Sequence, residues 1–217
     1  MRTIVVAGIG TGVGKTVVSA ILVEALNADY WKPIQAGDLE KSDTLIVQDL
    51  VSNTQSVFHK ETYHLSNAMS PHAASKLDGI EIKSEHLTLP KTENILIVEL
   101  AGGLMVPLNS EELNLDLLKT WKTPVVLVSK NYLGSINHTL LSLEALRANN
   151  IAVAGIIFNG EHNRETEELI LNYTKVKFLG RVPELHELTK NQIKKIAENL
   201  KVNFQDLHGL YENQSAR

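Results

Sequence analysis

The residues with the clearest chemical potential lie at positions 8–16, which read Gly-Ile-Gly-Thr-Gly-Val-Gly-Lys-Thr. An apolar run at 3–7 precedes them, and an amphipathic stretch at 17–26 follows. In a glycine-rich turn of this kind, backbone N–H groups cradle phosphate oxygens, a lysine contacts the β- and γ-phosphates, and a hydroxyl coordinates Mg²⁺. A helix after the turn adds the positive end of its dipole. The segment therefore predicts a nucleoside triphosphate site, with Lys15 on the phosphates and Thr16 on Mg²⁺.

One position of this turn departs from the general phosphate-loop pattern. That pattern places its first glycine at position 9, where this chain has Ile9, and the nearest glycine is Gly8. A plain glycine turn that binds nothing is the alternative. The strand, the Gly-Lys-Thr triplet and the helix stand in register, and this order favours phosphate binding.

A phosphate loop needs a carboxylate to complete the ligand shell of Mg²⁺, which prefers hard oxygen ligands. Glu99 is the strongest candidate because it follows the apolar run 95–98, and a carboxylate there would lie at the rim of the sheet, where ligands bind. A glutamate that simply faces water is the alternative. Asp43 is a second candidate, although its position equally suits a helix cap or a first-turn acid.

Lys32 is placed to neutralise an anion that develops beside the phosphate loop. Pro33 follows it and restricts it to extended backbone, so its side chain has a defined direction. The residues alone favour the simpler interpretation, in which Lys32 is a solvated surface lysine.

Apolar runs typical of buried parallel strands alternate with helical patterns along most of the chain. The predicted strands lie at 3–7, 30–34, 95–100, 125–128, 152–158 and 176–179. The predicted helices lie at 15–26, 44–52, 113–120, 135–148, 164–173 and 187–200. Residues 55–90 contain no clear strand, and we expect a loop with short helices there. The alternation predicts an α/β fold, a doubly wound, mostly parallel sheet flanked by helices.

Composition narrows the class of protein. The 217 residues suit a single domain over 1–217, with 43% hydrophobic and 21% charged residues as in ordinary globular proteins. A net charge of −4 argues against nucleic acid as a partner. The absence of cysteine excludes disulfides and thiolate nucleophiles. No leader peptide or membrane-length apolar run is evident, so we expect a cytoplasmic protein with no membrane partner.

Six motifs together resemble those of the dethiobiotin synthetase family, in the same order and over residues 3–185. Lys-Pro-Ile-Gln at 32–35 and Leu-Gly-Ser-Ile-Asn-His at 133–138 are more specific than the phosphate loop, which many nucleotide-binding families share. The remaining motifs are the phosphate loop at 8–16, Ser-Asp at 42–43, Ser-Pro-His at 70–72 and Glu-Leu-Ala-Gly-Gly at 99–103.

The resemblance implies an ATP- and Mg²⁺-dependent cyclo-ligase of the P-loop type. Members of the family form a carbamate from CO₂ and one amine of 7,8-diaminononanoate, and they activate it with the γ-phosphoryl group of ATP. Closure of a ureido ring then gives dethiobiotin, ADP and phosphate. Members are homodimers whose substrate site borrows from the partner chain, which would place residues 133–138 near the interface.

The resemblance also assigns roles to individual positions. Lys15 and Lys32 would be catalytic, and Asn159 would read the adenine base. The Mg²⁺ ligands would be Thr16, Asp43 and Glu99. The substrate contacts would be Thr11, Lys32 and Ala36. The nucleotide contacts would be Gly12, Val13, Gly14, Lys15, Thr16, Val17, Asp43, Glu99, Leu100, Ala101, Gly102, Asn159, Gly160, Pro183, Glu184 and Leu185.

The chain departs from the family pattern at four positions. Gly10 and Gly12 stand where some members carry acidic residues in the phosphate loop. Ala36 replaces a hydroxyl residue that usually contacts the substrate, so a backbone contact is all that remains there. Leu100 replaces a glycine. None of these changes removes a charge that the reaction needs.

Other function classes fit the sequence less well. Partitioning or positioning ATPases of the deviant-loop type carry an early lysine near the position of Gly10, often with a membrane-binding tail or a basic DNA-binding face. A cobyrinate amidase carries a glutamine-hydrolysing domain with a nucleophilic cysteine. A non-enzymatic nucleotide-binding module has no need of Lys32 and Glu99 beside the loop.

Overall fold

Nine strands form two parallel sheets in the computed structural model, which describes residues 2–204. The strands are Thr3–Gly8 (β1), Asp29–Trp31 (β2), Ile34–Ala36 (β3), Phe58–His59 (β4), Tyr63–Leu65 (β5), Leu96–Gly103 (β6), Val125–Lys130 (β7), Val153–Asn159 (β8) and Phe178–Val182 (β9). The main sheet has the order β4-β2-β6-β1-β7-β8-β9, and β3 pairs with β5. Every strand pairing is parallel.

Helices supply most of the long connections that parallel neighbours require. Residues 2–204 form the α-helices Lys15–Leu26 (α1), Asp43–Leu50 (α2), Pro71–Leu77 (α3), Asn114–Trp121 (α4), Ser135–Ala148 (α5), Arg164–Thr174 (α6) and Lys190–Phe204 (α7). Two 3₁₀ turns lie at Leu39–Lys41 and Ser84–His86.

The core lies on both faces of the main sheet. All six residues of β1 are buried, as are the first five of β7, because helices cover both faces of these central strands. Helix α1 packs against α7 and α2, and α5 packs against α6. The predicted α/β class with a mostly parallel sheet flanked by helices is confirmed.

The predicted strand at 30–34 is wrong as a single element. Its first part belongs to β2 in the main sheet, and its last residue begins β3 in the small sheet. Pro33 causes the break because it has no N–H to donate to a ladder. Its carbonyl instead accepts the backbone N–H groups of Thr62 and Tyr63, at 2.9 and 3.1 Å. Lys32 therefore lies at the junction between the two sheets.

Residues 55–90 also differ from the prediction. This segment contains β4 and β5 as well as the expected short helix α3. The two strands have only two and three residues, which is too short for a recognisable hydrophobic pattern. Ser70 is the N-cap of α3, and Pro71 is its first residue.

Most predicted boundaries shift by one to four residues. Strand β6 continues to Gly103 rather than ending at 100, β9 begins at Phe178 rather than 176, and α7 begins at Lys190 rather than 187. Residue 1 and residues 205–217 lie outside the described part of the chain, so a single domain over 1–217 stays a prediction. Within residues 2–204, no helix has the length and apolar character needed to cross a membrane.

Candidate active site

The phosphate loop occupies the turn between β1 and α1. Gly12 and Gly14 have φ values of +71° and +92°, the left-handed region that favours glycine. Gly14 is the N-cap of α1 and has no side chain to bond the N–H groups of the first turn. These donors and the helix dipole therefore face the space where a phosphate would bind.

Asn159, at the end of β8, holds the loop from the other side. Its Nδ2 donates to the carbonyl of Val13 at 3.0 Å. A Cβ built on Gly14 would lie 2.1 Å from the same Nδ2, so only glycine fits beneath this side chain. The next residue, Gly160, donates its N–H to the carbonyl of Val182 at 2.9 Å, which ties the end of β8 to the end of β9.

Lys15 begins α1 and folds back over the loop. Its Nζ donates to the carbonyl of Gly10 at 3.2 Å, and the residue is buried. Burial lowers the pKa of Lys15 to about 8, and the negative charge of Glu99 only partly opposes this effect. A triphosphate at the loop would supply the counter-charge that this amine lacks.

Three oxygen ligands from three different elements meet beside the loop. Thr16 Oγ1 on α1 lies 2.8 Å from Asp43 Oδ1 on α2 and 3.1 Å from Glu99 Oε1 on β6. A hydroxyl and two carboxylates are hard oxygen donors, the set that suits Mg²⁺. These residues therefore fit a magnesium ion that also binds the phosphates of a nucleotide.

The position of Glu99 differs from the prediction. It lies within β6 rather than at the end of a strand, and it is 1% exposed, so the alternative of a glutamate that faces water is wrong. Asp43 is the first residue of α2, whereas Ser42 is its N-cap and accepts the N–H of Leu45 at 3.4 Å. Asp43 is thus free of capping and directs its carboxylate to Thr16.

Lys32 is buried between the two carboxylates. Its Nζ forms a close ion pair with Asp43 Oδ2 and lies 3.0 Å from Glu99 Oε1. The interpretation of Lys32 as a solvated surface lysine is therefore wrong. Burial opposes the charge, but Glu99 and Asp43 outweigh it and raise the pKa of Lys32 above its ordinary value. The ammonium stays charged throughout the physiological pH range.

Two buried side chains that the sequence did not single out complete this cluster. Gln35 accepts the N–H of Asp43 at 3.2 Å and donates to the carbonyl of Gly37 at 2.9 Å. Tyr30 donates its hydroxyl to Glu99 Oε2 at 3.0 Å. Gln35 belongs to the specific Lys-Pro-Ile-Gln motif, and this motif could have identified it as a site residue. No sequence pattern indicated a site role for Tyr30.

A cleft of about 610 Å³ contains most of the predicted site residues. Those that line it are Thr11, Gly12, Gly14, Lys15, Thr16, Val17, Lys32, Ala36, Asp43, Glu99, Ala101 and Gly102. Further lining residues are Ile34, Gln35, Ser70 and Pro71, which lie in two of the family motifs, and Asp38, Ala68, Met69 and Val106, which the sequence did not indicate. Many of the latter are apolar, so one wall of the cleft suits an aliphatic chain.

The other predicted residues lie outside this cleft. The side chains of Val13 and Leu100 are buried in the core, which leaves only their backbone for a nucleotide contact. Pro183 and Leu185 line a second cavity of about 300 Å³ beside α7, together with Arg181. Asn159 and Gly160 lie between the loop and β9, and Glu184 is exposed next to Pro183.

Known proteins similar in sequence identify the family. A family profile described as an AAA domain matches residues 2–192. The ATP-dependent dethiobiotin synthetase BioD of Christiangramia forsetii is 53% identical over 196 residues, which cover 90% of this chain and 94% of that protein. The same enzyme of Chlamydia pneumoniae is 43% identical over 201 residues, 93% of this chain and 90% of that protein. The chain belongs to the dethiobiotin synthetase family. The predicted enzyme class, an ATP-dependent ligase of this type, is thereby confirmed.

Solved structures with the same fold come from a different functional class. The septum site-determining protein MinD of Pyrococcus horikoshii, complexed with Mg-ADP, superposes with a TM-score of 0.62 at 18% identity, covering 96% of this chain and 98% of that one. A ParA family ATPase of Chlorobium tepidum superposes with a TM-score of 0.57 at 12% identity, covering 91% and 98%. At these identities the likeness shows the fold alone.

We expect Gly14→Ala to weaken nucleotide binding about tenfold or more. The new Cβ would overlap the side chain of Asn159, and the alanine would have to adopt a φ of +92°. The loop and the asparagine must therefore both move. Left-handed strain alone costs about 1–2 kcal/mol, and 1.4 kcal/mol corresponds to tenfold in affinity. Isothermal titration calorimetry with a non-hydrolysable ATP analogue and Mg²⁺ measures this change.

Gly79→Ala is the matched control, because Gly79 has a φ of +67° but no described atom lies within 4 Å of its Cβ position. This variant should carry similar backbone strain and bind nucleotide normally. Unchanged affinity in Gly14→Ala would contradict the loop geometry described above.

Proposed function

We propose that this protein converts 7,8-diaminononanoate, CO₂ and ATP into dethiobiotin, ADP and phosphate. The observation that carries the proposal is the buried ammonium of Lys32, set beside a phosphate loop and a pair of carboxylates. A protein that only binds a nucleotide does not need the Lys32 ammonium between the two carboxylates beside its phosphate loop. An enzyme that transfers a phosphoryl group to an anionic acceptor needs one.

The proposed reaction has three bond-forming steps. One amine of the substrate attacks CO₂, loses a proton and becomes a carbamate. A carbamate oxygen attacks the γ-phosphorus of ATP, and the bond to ADP breaks. The second amine then attacks the carbamate carbon, phosphate leaves with the bonding electron pair, and loss of a proton completes the ureido ring.

Lys15 and Lys32 would neutralise the negative charge on the phosphates and on the carbamate in these steps. Phosphoryl transfer depends mainly on alignment and on neutralisation of the transferred group. Lys15 lies over the loop and would contact the β- and γ-phosphates, while Lys32 would contact the carbamate and the γ-phosphoryl oxygens. Both amines are buried, which strengthens their interaction with an anion.

Thr16, Asp43 and Glu99 would hold Mg²⁺, which supplies positive charge to the phosphates when bound. In the described structure Lys32 balances Asp43 and Glu99 through direct ion pairs, and the charge of Lys15 acts on both without a direct ion pair. A divalent cation on the same carboxylates would take over this balance. With these carboxylates on Mg²⁺, the ammonium of Lys32 would be available to the carbamate.

The substrate would occupy the part of the cleft that continues from Lys32. Thr11 and the backbone of Ala36 are the proposed polar contacts. Ile34, Met69 and Val106 line the same cleft and would pack against the aliphatic chain of the substrate. The apolar wall thus favours a long-chain diamine over a small polar one.

The nucleotide would extend from the loop toward the ends of β8 and β9. Asn159 and Gly160 would contact the adenine, with Pro183, Glu184 and Leu185 beside the base. The backbone of residues 100–102 would contact phosphate. The hydrogen bond from Gly160 to Val182 supports this proposal because it brings the two base-binding segments together.

We also propose that the protein acts in the cytoplasm as a homodimer, without nucleic-acid or membrane partners. Leu133 is fully exposed at the start of the 133–138 motif, and Tyr132 and Leu141 are also exposed. Exposed apolar side chains in this part of the chain support a surface that another chain would cover. The proposed single domain over 1–217 would form each subunit.

Phosphate release is the first test of the proposed reaction. The purified protein should release phosphate from ATP only when 7,8-diaminononanoate, bicarbonate and Mg²⁺ are all present, because the carbamate is the phosphoryl acceptor. A coupled phosphate assay measures the rate, and mass spectrometry identifies dethiobiotin. Phosphate release that ignores the diamine would overturn the assignment even if ATP binds.

Lys32→Ala should lower kcat by roughly 10²–10³ while ATP affinity changes little, since Lys32 contacts the transferred group rather than the base. Steady-state kinetics together with calorimetric ATP binding separate the two quantities. Lys119→Ala is the matched control, because Lys119 is an exposed lysine on α4 that pairs with Asp116 at 3.0 Å. A kcat near that of the unmodified protein would remove the catalytic role of Lys32.

The same Lys32→Ala variant should have a lower Tm than the unmodified protein in EDTA, because Asp43 and Glu99 then repel each other without a counter-charge. Added Mg²⁺ should recover more stability in this variant than in the unmodified protein. Thermal unfolding followed by circular dichroism, with and without Mg²⁺, measures both effects. Equal responses to Mg²⁺ would show that Lys32 and the ion do not share these carboxylates.

A further inference from the structure

A buried tyrosine contacts the proposed magnesium ligand Glu99, together with Thr16 and Lys32. Tyr30 lies on β2, which pairs with β6 so that Tyr30 stands opposite Ile97. Glu99 comes two residues later on β6, and side chains two apart share a face of the sheet. The Tyr30 hydroxyl therefore reaches Glu99 Oε2, at 3.0 Å.

The contacts of Glu99 divide its two oxygens between two tasks. Oε1 faces the cleft, where it lies 3.1 Å from Thr16 Oγ1 and 3.0 Å from Lys32 Nζ. Oε2 faces the interior of the sheet and accepts the hydrogen bond from Tyr30. The hydrogen bond from Tyr30 therefore favours an orientation of the carboxylate in which one oxygen, here Oε1, faces the site.

Packing alone does not account for a tyrosine at this position. Tyr30 is fully buried, and its ring lies 6.3 Å from that of Phe58. A phenylalanine would fill the same space without the cost of burying a hydroxyl. The hydroxyl is instead used in the hydrogen bond that it donates to Glu99 Oε2.

We propose that Tyr30 is a positioning residue for the magnesium site, because its hydroxyl fixes the Glu99 carboxylate with Oε1 toward the metal. The inference rests on the proposed role of Glu99 as a Mg²⁺ ligand. Loss of the hydroxyl frees the carboxylate to rotate, and the ion then binds a less ordered ligand. Groups that orient a metal ligand typically change metal affinity 10–100-fold when they are removed.

The test compares Tyr30→Phe, Glu99→Gln and the unmodified protein. Mg²⁺ is titrated into each protein in the presence of a fluorescent non-hydrolysable ATP analogue, and the midpoint of the Mg²⁺ response is recorded. Tyr30→Phe should shift this midpoint upward about tenfold. Nucleotide affinity in EDTA should equal that of the unmodified protein, because the loop itself is unchanged.

Steady-state kinetics add a second readout. In Tyr30→Phe the apparent KM for Mg²⁺ should rise by a similar factor, whereas kcat at saturating Mg²⁺ should return to near the unmodified value. A role in packing alone would lower Tm or kcat without this split. Tyr63→Phe is the matched control, because the Tyr63 hydroxyl bonds His86 and the Lys83 N–H outside the cleft.

Two results would overturn the inference, and only one of them would also overturn the proposed role of Glu99 as a Mg²⁺ ligand. If Glu99→Gln shifts the Mg²⁺ midpoint but Tyr30→Phe does not, Tyr30 has no positioning role and the proposed metal site stands. If Glu99→Gln also leaves the midpoint unchanged, the metal role of Glu99 fails together with that of Tyr30.

Discussion

The contact of Lys32 with Asp43 and Glu99 is the interaction on which the rest of the site depends. Lys32 and Glu99 are buried, whereas Asp43 is partly exposed. Buried charges are tolerated only when they are paired, and removal of one partner leaves the others less well compensated. The three residues come from a strand junction, a helix and a central strand, so the pairing fixes these elements relative to one another. The phosphate loop joins them through Thr16. Local charge balance thus sets the arrangement of four separate segments.

Pro33 gives this cluster its place in the fold. If the strand continued past Lys32, this residue would be held in the hydrogen-bonded ladder of the main sheet. Because proline ends that ladder, the chain turns into a second small sheet with β5, and Lys32 stays at the corner between the two. Gln35, two residues beyond Pro33, then bonds the backbone of Asp43. One imino acid therefore aligns a cation and a carboxylate-bearing helix.

Local signals in the sequence predicted the phosphate loop, the sheet class and the three metal-ligand candidates, because each belongs to a short pattern with its own chemistry. The environment of Lys32 was mistaken on residues alone, since burial depends on what β6 and α2 bring to it. Tyr30 was missed for a similar reason, because its partner lies 69 residues away in the chain. Strands β4 and β5 were missed because two or three residues are too few to show a hydrophobic periodicity. Contacts between segments that lie far apart in the chain could therefore not be predicted from local sequence patterns.

The hydrogen bond from Asn159 to Val13 has a consequence for the order of assembly. It joins residues 146 positions apart, and β7 must lie between β1 and β8 before the asparagine can reach the loop. A nascent chain that ends before β8 has therefore made every residue of the phosphate loop without the amide that holds it in place. Asn159 is synthesised after about three quarters of the 217 residues, so the phosphate loop can gain this hydrogen bond only late in synthesis.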